Sequence, residues 1–228
     1  MWITKQRWEE LYFVHFEGPA EIVRRAMPPS LELDLWKGNA ILSLVPFRMT
    51  RVRFPLIPSI PILSELWEYN IRTYVRIANK PGIYFFTLES DNPLATWVAR
   101  TFFGLPYHNA KIKVQMNDQG LHLKSTRKHW HSELVVEKTS TPSADRDFDI
   151  WATERYSLFN DRSGRIQRGD VKHVPWTLEP AKLIEWKGNF LEYVPGASAF
   201  RPRSASYSKL LDVSFEPFKW ENSGQFAL

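Results

Sequence analysis

The sequence predicts a mainly β protein: a strongly curved antiparallel sheet or closed β-barrel with a few short helices. Three observations carry that prediction. The stretch Leu66–Ile77 alternates with period two and bears large side chains on both sides. Short apolar runs recur along the chain between Gly, Pro, Asn and Asp punctuation, whereas helix-period runs are few and brief. Aromatic residues are heavy, with 10 Trp, 15 Phe and 8 Tyr, which suits strands and a lined pocket.

Taken in order, Leu11 to Phe16 reads as a strand with Leu11, Phe13 and His15 on one face. A histidine among such neighbours is first a core residue and only then a catalytic one. Gly18-Pro19 opens a short amphipathic helix that turns Ile22, Val23 and Ala26 inward, and Pro28-Pro29 ends it. Leu31–Leu35 is a brief extended segment, Lys37-Gly38-Asn39 a turn, and Ala40–Phe47 a strongly apolar strand. Thr50–Leu63 carries Pro55, Pro58 and Pro61 at a spacing of three, which favours an extended loop and rules out a central strand. That loop is either a lid over a pocket mouth or a surface connection.

The alternating strand follows. Glu68, Asn70, Arg72 and Tyr74 point to one side; Trp67, Tyr69, Ile71, Thr73 and Val75 point to the other. A Glu-Asn-Arg-Tyr row opposite an apolar row suits a strand whose polar side lines an internal cavity. It also suits an exposed polar face with a cross-strand ion pair of little energetic worth. Asn79-Lys80-Pro81-Gly82 reads as the turn into a second strand, Gly82–Glu89. Asn92 is placed to cap a short helix, Pro93 suits its first position, and Gly104 with Pro106 stops it. Tyr107 and His108 fall on the loop beyond, and Ala110–Met116 is a third strand with Lys111, Lys113 and Gln115 on one face.

Asn117-Asp118-Gln119-Gly120 is a hairpin turn into Leu121–Lys128, and Glu133–Thr139 is a further strand. A polar run leads to a helix over Phe148–Leu158, with Phe148, Trp151, Ala152, Arg155 and Phe159 near helical spacing. The run 160–165 is a turn. Val171–Trp176 and Ala181–Trp186 read as strands broken by prolines. A last strand, Leu210–Phe215, follows a loose basic loop, and the tail after Trp220 is expected to fray.

The whole chain, residues 1–228, fits one domain large enough to bury a core. Net charge is +5 at pH 7, from 30 basic and 25 acidic residues; so mild an excess is first a matter of surface composition, though it could attract anionic ligands. With no cysteine there is no disulfide, thiol nucleophile or thiolate metal site. No signal-peptide core and no bilayer-length apolar run is present, so a cytoplasmic location is expected, with no membrane partner. Nucleic acid is not an expected partner either, because a sheet core accounts for the aromatics. A homo-oligomer is compatible with the sequence.

The segments WEYNIRTYV, GIYFFTLESDNPLA, LPYHNAKI, ATERYSLFNDRSGRIQRGDVKHVPWTLEPA and the opening RWEELYFVHF together resemble the YqjF-like family. These uncharacterised bacterial proteins belong to the acetoacetate decarboxylase-like superfamily, and the resemblance spans nearly the whole chain. It implies that superfamily's fold and a pocket, but no reaction. In the decarboxylases it further implies a glutamate on the strand and a Pro-Lys-Lys motif after the helix, one lysine forming a Schiff base with a β-keto acid. Glu68 falls at the glutamate's place, whereas Tyr107 and His108 stand where the lysines would be. Neither phenol nor imidazole forms a Schiff base, so simple decarboxylase chemistry is not inherited.

The site that emerges is Glu68, Asn70, Arg72, Tyr107 and His108, with no cofactor. Arg72 would hold a carboxylate or enolate oxygen through paired donors. Glu68 and His108 are the candidates for proton transfer, and Asn70 and Tyr107 would orient a small anionic or carbonyl-bearing ligand. The rival is a buried Glu-Arg network that binds nothing. A non-catalytic binding or sensor protein would use the same pocket. Lys111 and Lys113, about 7 Å apart on one strand face, offer a shifted amine, although paired surface lysines are ordinary. His129, His131 and Glu133 form only a weak metal pattern, and His173 is assigned a structural role.

Overall fold

Both faces of the strand at the centre of this protein are buried, which explains why large side chains occupy every position of its alternation. In the computed structural model, which describes residues 1–55 and 65–221, that strand is β4 (Glu65–Ile77). Most of the Pro55–Pro61 segment, read as either a lid or a surface connection, and the tail from residue 222 lie outside the described residues.

The other strands are β1 (Thr4–Gly18), β2 (Glu32–Leu33), β3 (Ala40–Arg53), β5 (Lys80–Ser90), β6 (Tyr107–Asn109) and β7 (Lys111–Asn117). They continue with β8 (Gly120–Arg127), β9 (Trp130–Lys138), β10 (Ser157–Arg162), β11 (Arg165–Lys172), β12 (Glu179–Gly188), β13 (Arg201–Phe215) and β14 (Lys219–Trp220). Three short α-helices are described: α1 (Ala20–Ala26), α2 (Pro93–Val98) and α3 (Arg146–Thr153). All the strands join one sheet, whose path runs β14-β11-β10-β5-β4-β3-β1-β13-β12-β9-β8-β7, with β2 on β4 and β6 on β5. Pairing is antiparallel except where β10 and β6 run parallel to β5. Val171 and Lys172 of β11 also pair with Phe215 and Ser214 of β13, two strands far apart in that path. Only a strongly curved sheet brings them together, as the sequence predicts. None of the described helices is long and apolar enough to cross a membrane.

Two irregularities set the curvature. In β1 the register against β3 shifts between Glu9 and Val14, where Glu10 adopts φ 53°; such a bulge bends a strand and increases its twist. In β5, Ile71 of β4 pairs with Thr87 but Arg72 with Phe85, so Phe86 is the extra residue. The bulge switches the facing of β5, and Phe85 and Leu88 therefore look to the same side. On one side of the central strands, Tyr69, Ile71, Val75 and Phe86 pack with Leu123 and Val136 of the β7-β8-β9-β12 extension. On the other side, β1, β3 and β4 contribute Leu11, Phe13, Val45, Phe47 and Leu66 around a hollow.

Several boundaries differ from the sequence reading, each for a local reason. The β4–β5 turn is Ala78-Asn79, both left-handed at φ 46° and 63°, as a two-residue hairpin of this twist requires. Pro81 and Gly82 lie inside β5 instead. Gly82 is needed there because a Cβ would sit 2.5 Å from the Ser157 carbonyl oxygen and 2.6 Å from the Phe159 ring. Gly82→Ala is expected to cost about 1–3 kcal/mol, checked by the shift of the urea midpoint at constant m-value. The helix expected over Phe148–Leu158 stops at Thr153, and Phe159 lies in β10. Residues 173–176 are not strand. The basic segment before Leu210 is not a loop, since it belongs to β13, which pairs with β1 along most of both strands. Tyr107 and His108 form the short strand β6 rather than a loop.

The predicted capping of α2 is present. The Asn92 side chain accepts from Ala95 N at 3.0 Å, and Pro93 opens the helix. A π-helical turn over Ala99–Phe103 follows, closed by Gly104 at φ 65°. This helical segment lies over the hollow, and Ala95, Val98, Ala99 and Phe103 line it.

Candidate functional site

Alternation along β4 sends Leu66, Glu68, Asn70 and Arg72 into a cavity of about 140 Å³ whose wall is mostly apolar. Burial is complete enough to govern their chemistry: Glu68 and Asn70 are each 2% exposed and Arg72 8%. Tyr107 reaches the same cavity from β6, because its backbone pairs with Leu88 on the far side of β5. Its hydroxyl donates to Glu68 Oε2, while Asn70 Nδ2 donates to Glu68 Oε1 at 2.9 Å.

Glu68 is the electrostatic centre of the group. Burial pushes its carboxyl up from 4.5 to about 7; the hydrogen bonds from Tyr107 and Asn70, and the nearby Arg72 charge, oppose that shift without cancelling it. Near neutral pH the carboxyl therefore populates both protonation states. Tyr107 is shifted up as well: burial, and then the Glu68 charge, raise its phenol well above the usual value, so it stays a donor.

Among the described residues Arg72 has no carboxylate partner in an ion pair. Its guanidinium lies 5.2 Å from the Phe13 ring centre and 5.9 Å from that of Tyr74, and among the described residues its buried Nε has no hydrogen-bond partner. Asn70 Oδ1 is likewise buried and unpartnered. A direct Glu68–Arg72 ion pair, which the rival reading required, is not formed.

His108 is separated from the other four, which corrects its grouping with Glu68. Neighbouring residues of a strand face opposite ways, so His108 turns to the side of Glu89, with Nε2 3.4 Å from the Tyr193 hydroxyl. Burial, and then Arg127, push it down to about 4, so it is neutral near pH 7. Glu89 on that side is held by Ser125 and by Arg127 Nε at 2.8 Å. Lys111 and Lys113 are exposed on β7, and no lysine is among the described residues lining the cavity, so the shifted-amine alternative lies outside it. His129 sits in the β8–β9 turn, and Glu133 is bonded to His122 and Lys124. Among the described residues no three acidic or histidine side chains could hold a metal ion.

Two residues given structural roles lie close to this chemistry. His15 is fully buried, with Nδ1 2.8 Å from Ser43 Oγ, itself 2.8 Å from the Tyr74 hydroxyl; burial and then Arg72 push His15 down to about 3. His173 reaches the cavity wall beside Trp176. Arg155 also lines it, already held by Asp34 at 2.6 Å and by the Trp151 carbonyl at 2.6 Å. Sequence spacing gave no sign that α3 and the segment after β11 would meet β4, because their contact is made only by closure of the sheet.

Three comparisons with known proteins agree with this architecture. A model of the family DUF2071, described as an uncharacterized conserved protein, matches residues 5–212. The chain is 37% identical over 230 residues to the uncharacterized protein YqjF of Bacillus subtilis (strain 168), covering 96% of this chain and 93% of that protein. Among solved structures it resembles an acetoacetate decarboxylase from Legionella pneumophila, with TM-score 0.67 and 12% identity over 95% of this chain and 87% of that one. It also resembles the enduracididine biosynthesis enzyme MppR complexed with the condensation product of pyruvate and imidazole 4-carboxaldehyde. There the TM-score is 0.65 and the identity 13%, over 99% of this chain and 92% of that one. At such identities the structural likeness is one of fold.

Proposed function

We propose, from the premise that this chain belongs to the DUF2071 family of uncharacterized conserved proteins, that it binds a small anionic or carbonyl-bearing organic molecule in the cavity beneath α2. One observation carries the reading: among the described residues, Arg72 Nε and Asn70 Oδ1 are buried in a cavity wall without hydrogen-bond partners, beside a carboxyl that titrates near neutrality. Leaving such groups unsatisfied costs about 1–3 kcal/mol each, a cost that a ligand oxygen on Arg72 and a ligand hydroxyl on Asn70 would remove. MppR, of the same fold, is seen with a pyruvate-derived ligand, which is consistent with an oxo acid here.

The same geometry supports proton transfer. A ligand carbonyl oxygen held by Arg72 would carry the negative charge of an enolate in a site of low dielectric. Glu68, near its midpoint at neutral pH, is suited both to take the adjacent proton and to return it. The chain's own residues thus supply an electrophile and a base without an amine. Turnover in a metabolite screen, as against thermal shift alone, separates an enzyme from a binding protein.

The binding reading is tested by calorimetry of small carboxylates and 2-oxo acids against wild type, Arg72→Ala and Glu68→Gln. Affinity for the acids that bind is expected to fall at least tenfold in Arg72→Ala. It is also expected to change its pH dependence in Glu68→Gln. Wild-type affinity and pH dependence in both variants would overturn the assignment.

A further inference from the structure

We infer that the ligand is amphipathic: an acid with a single polar head and a short hydrocarbon tail of roughly three to five carbon atoms, branched or straight. This deepens the binding reading above and rests on it. The observation is how narrow the polar part of the cavity is. On β4 the polar row is one residue wide, and its cross-strand neighbours are largely hydrocarbon. Asn70 sits between Val45 and Leu88, Glu68 has Phe47 beside it, and Arg72 has Phe85. The facing wall adds Phe13 from β1, and Val98 and Phe103 from the helical segment.

The other polar residues of the described lining do not widen that row, because their buried side-chain polar atoms already have partners. Arg155 is held by Asp34 and the Trp151 carbonyl. Ser157 donates to Asp170 at 2.9 Å, and Thr153 to the Asp149 carbonyl at 2.7 Å. Gln6 accepts from the Trp8 indole at 2.9 Å, and His173 Nδ1 lies 2.7 Å from the Val174 carbonyl. Among the described lining residues, Asn70 Oδ1 and Arg72 Nε are the buried side-chain polar atoms without a partner. Arg72 Nε is the donor that takes the carboxylate, whereas Asn70 Oδ1, two positions away on the same strand face, is an acceptor and takes only a ligand hydroxyl.

Size sets the tail. A cavity of about 140 Å³ is close in size to one that takes up a single benzene, hence on the order of six to eight non-hydrogen atoms, of which a carboxylate takes three. A shorter acid would leave apolar wall uncovered. A second charged head would be buried against hydrocarbon with no partner, so dicarboxylates and phosphorylated compounds are disfavoured.

The test is calorimetry of the full chain with butanoate, hexanoate and octanoate, with adipate as the two-headed control. Affinity is expected to rise about fourfold per methylene to a plateau near six carbons, with adipate at least tenfold weaker than hexanoate. Ala99→Phe, which fills the wall away from β4, is expected to move the plateau to shorter acids while Tm stays within a few degrees of wild type. A flat series whose binding is still lost in Arg72→Ala would overturn the amphipathic class and leave the binding reading standing. So would adipate binding as tightly as hexanoate, or an unchanged series in Ala99→Phe. No binding of any of these acids to wild type would overturn this inference, and no binding of shorter carboxylates or 2-oxo acids either would remove the reading it rests on.

Discussion

Asp34→Ala is expected to destabilise the protein by about 3–5 kcal/mol, through the arginine it abandons rather than through its own lost contacts. Asp34 is 3% exposed and accepts from Arg155 Nη1 at 2.6 Å and from Arg76. The two arginines differ in what happens next. The Arg76 side chain is 38% exposed and can return to water, whereas that of Arg155 is 4% exposed and stays buried against Trp151 and Tyr74. Removal of the carboxylate leaves the Arg155 charge in a low-dielectric interior with only the Trp151 carbonyl for Nε. Urea unfolding should show the loss in Asp34→Ala, while Arg76→Ala should fall within about 1 kcal/mol of wild type. Equal losses in the two variants would sink the account.

Glu68 should contribute a separable loss of stability as pH rises from about 4.5 to about 7. Its folded carboxyl titrates at about 7 against an ordinary 4.5. Between those values the native state holds a proton that the unfolded chain has released, so the unfolding free energy decreases with pH in that window. The contribution is fully present below about pH 4.5 and is gone above about 7. At about 1.4 kcal/mol per pH unit of displacement, the full swing is about 3 kcal/mol. Burial also raises the Glu89 carboxyl, and this adds a slope of the same sign; the depressed His15 and His108 act oppositely, from about pH 3 and pH 4 respectively up to about 6.5. The comparison that isolates Glu68 is therefore the difference between wild type and Glu68→Gln, measured by denaturant unfolding from pH 4.5 to 8. Glutamine keeps an acceptor for one of the two donors and has no proton to lose, so that difference should change by about 3 kcal/mol across the range. Parallel curves would mean that the carboxyl is not buried in its charged form's disfavour.

The elements legible in the sequence share a feature: their signals are local. The α2 start needed only Asn92 and Pro93, because a cap is a contact across three residues. The facing of β4 needed only its own alternation, since no bulge interrupts its run from Leu66 to Arg72. The misses share the opposite feature. The extra residue Phe86 in β5 is decided by register against β4. The end of α3 at Thr153 follows from the commitment of Ser157–Arg162 to pairing with β11 and β5. His108 was misplaced because a loop leaves facing open, whereas the strand it joins fixes Tyr107 and His108 on opposite sides.

From the sequence alone came the mainly β character, the family resemblance, the polar row Glu68-Asn70-Arg72 and the departure at Tyr107 from lysine chemistry. These rest on residue identity and a period of two, and both survive without knowledge of what lies across the sheet. Tertiary structure alone decided that this row faces a hollow, that Arg72 is left without a partner, and that burial holds the Glu68 carboxyl near neutrality. Desolvation depends on every atom that excludes water from a site, and here those atoms come from strands and a helical segment far apart along the chain.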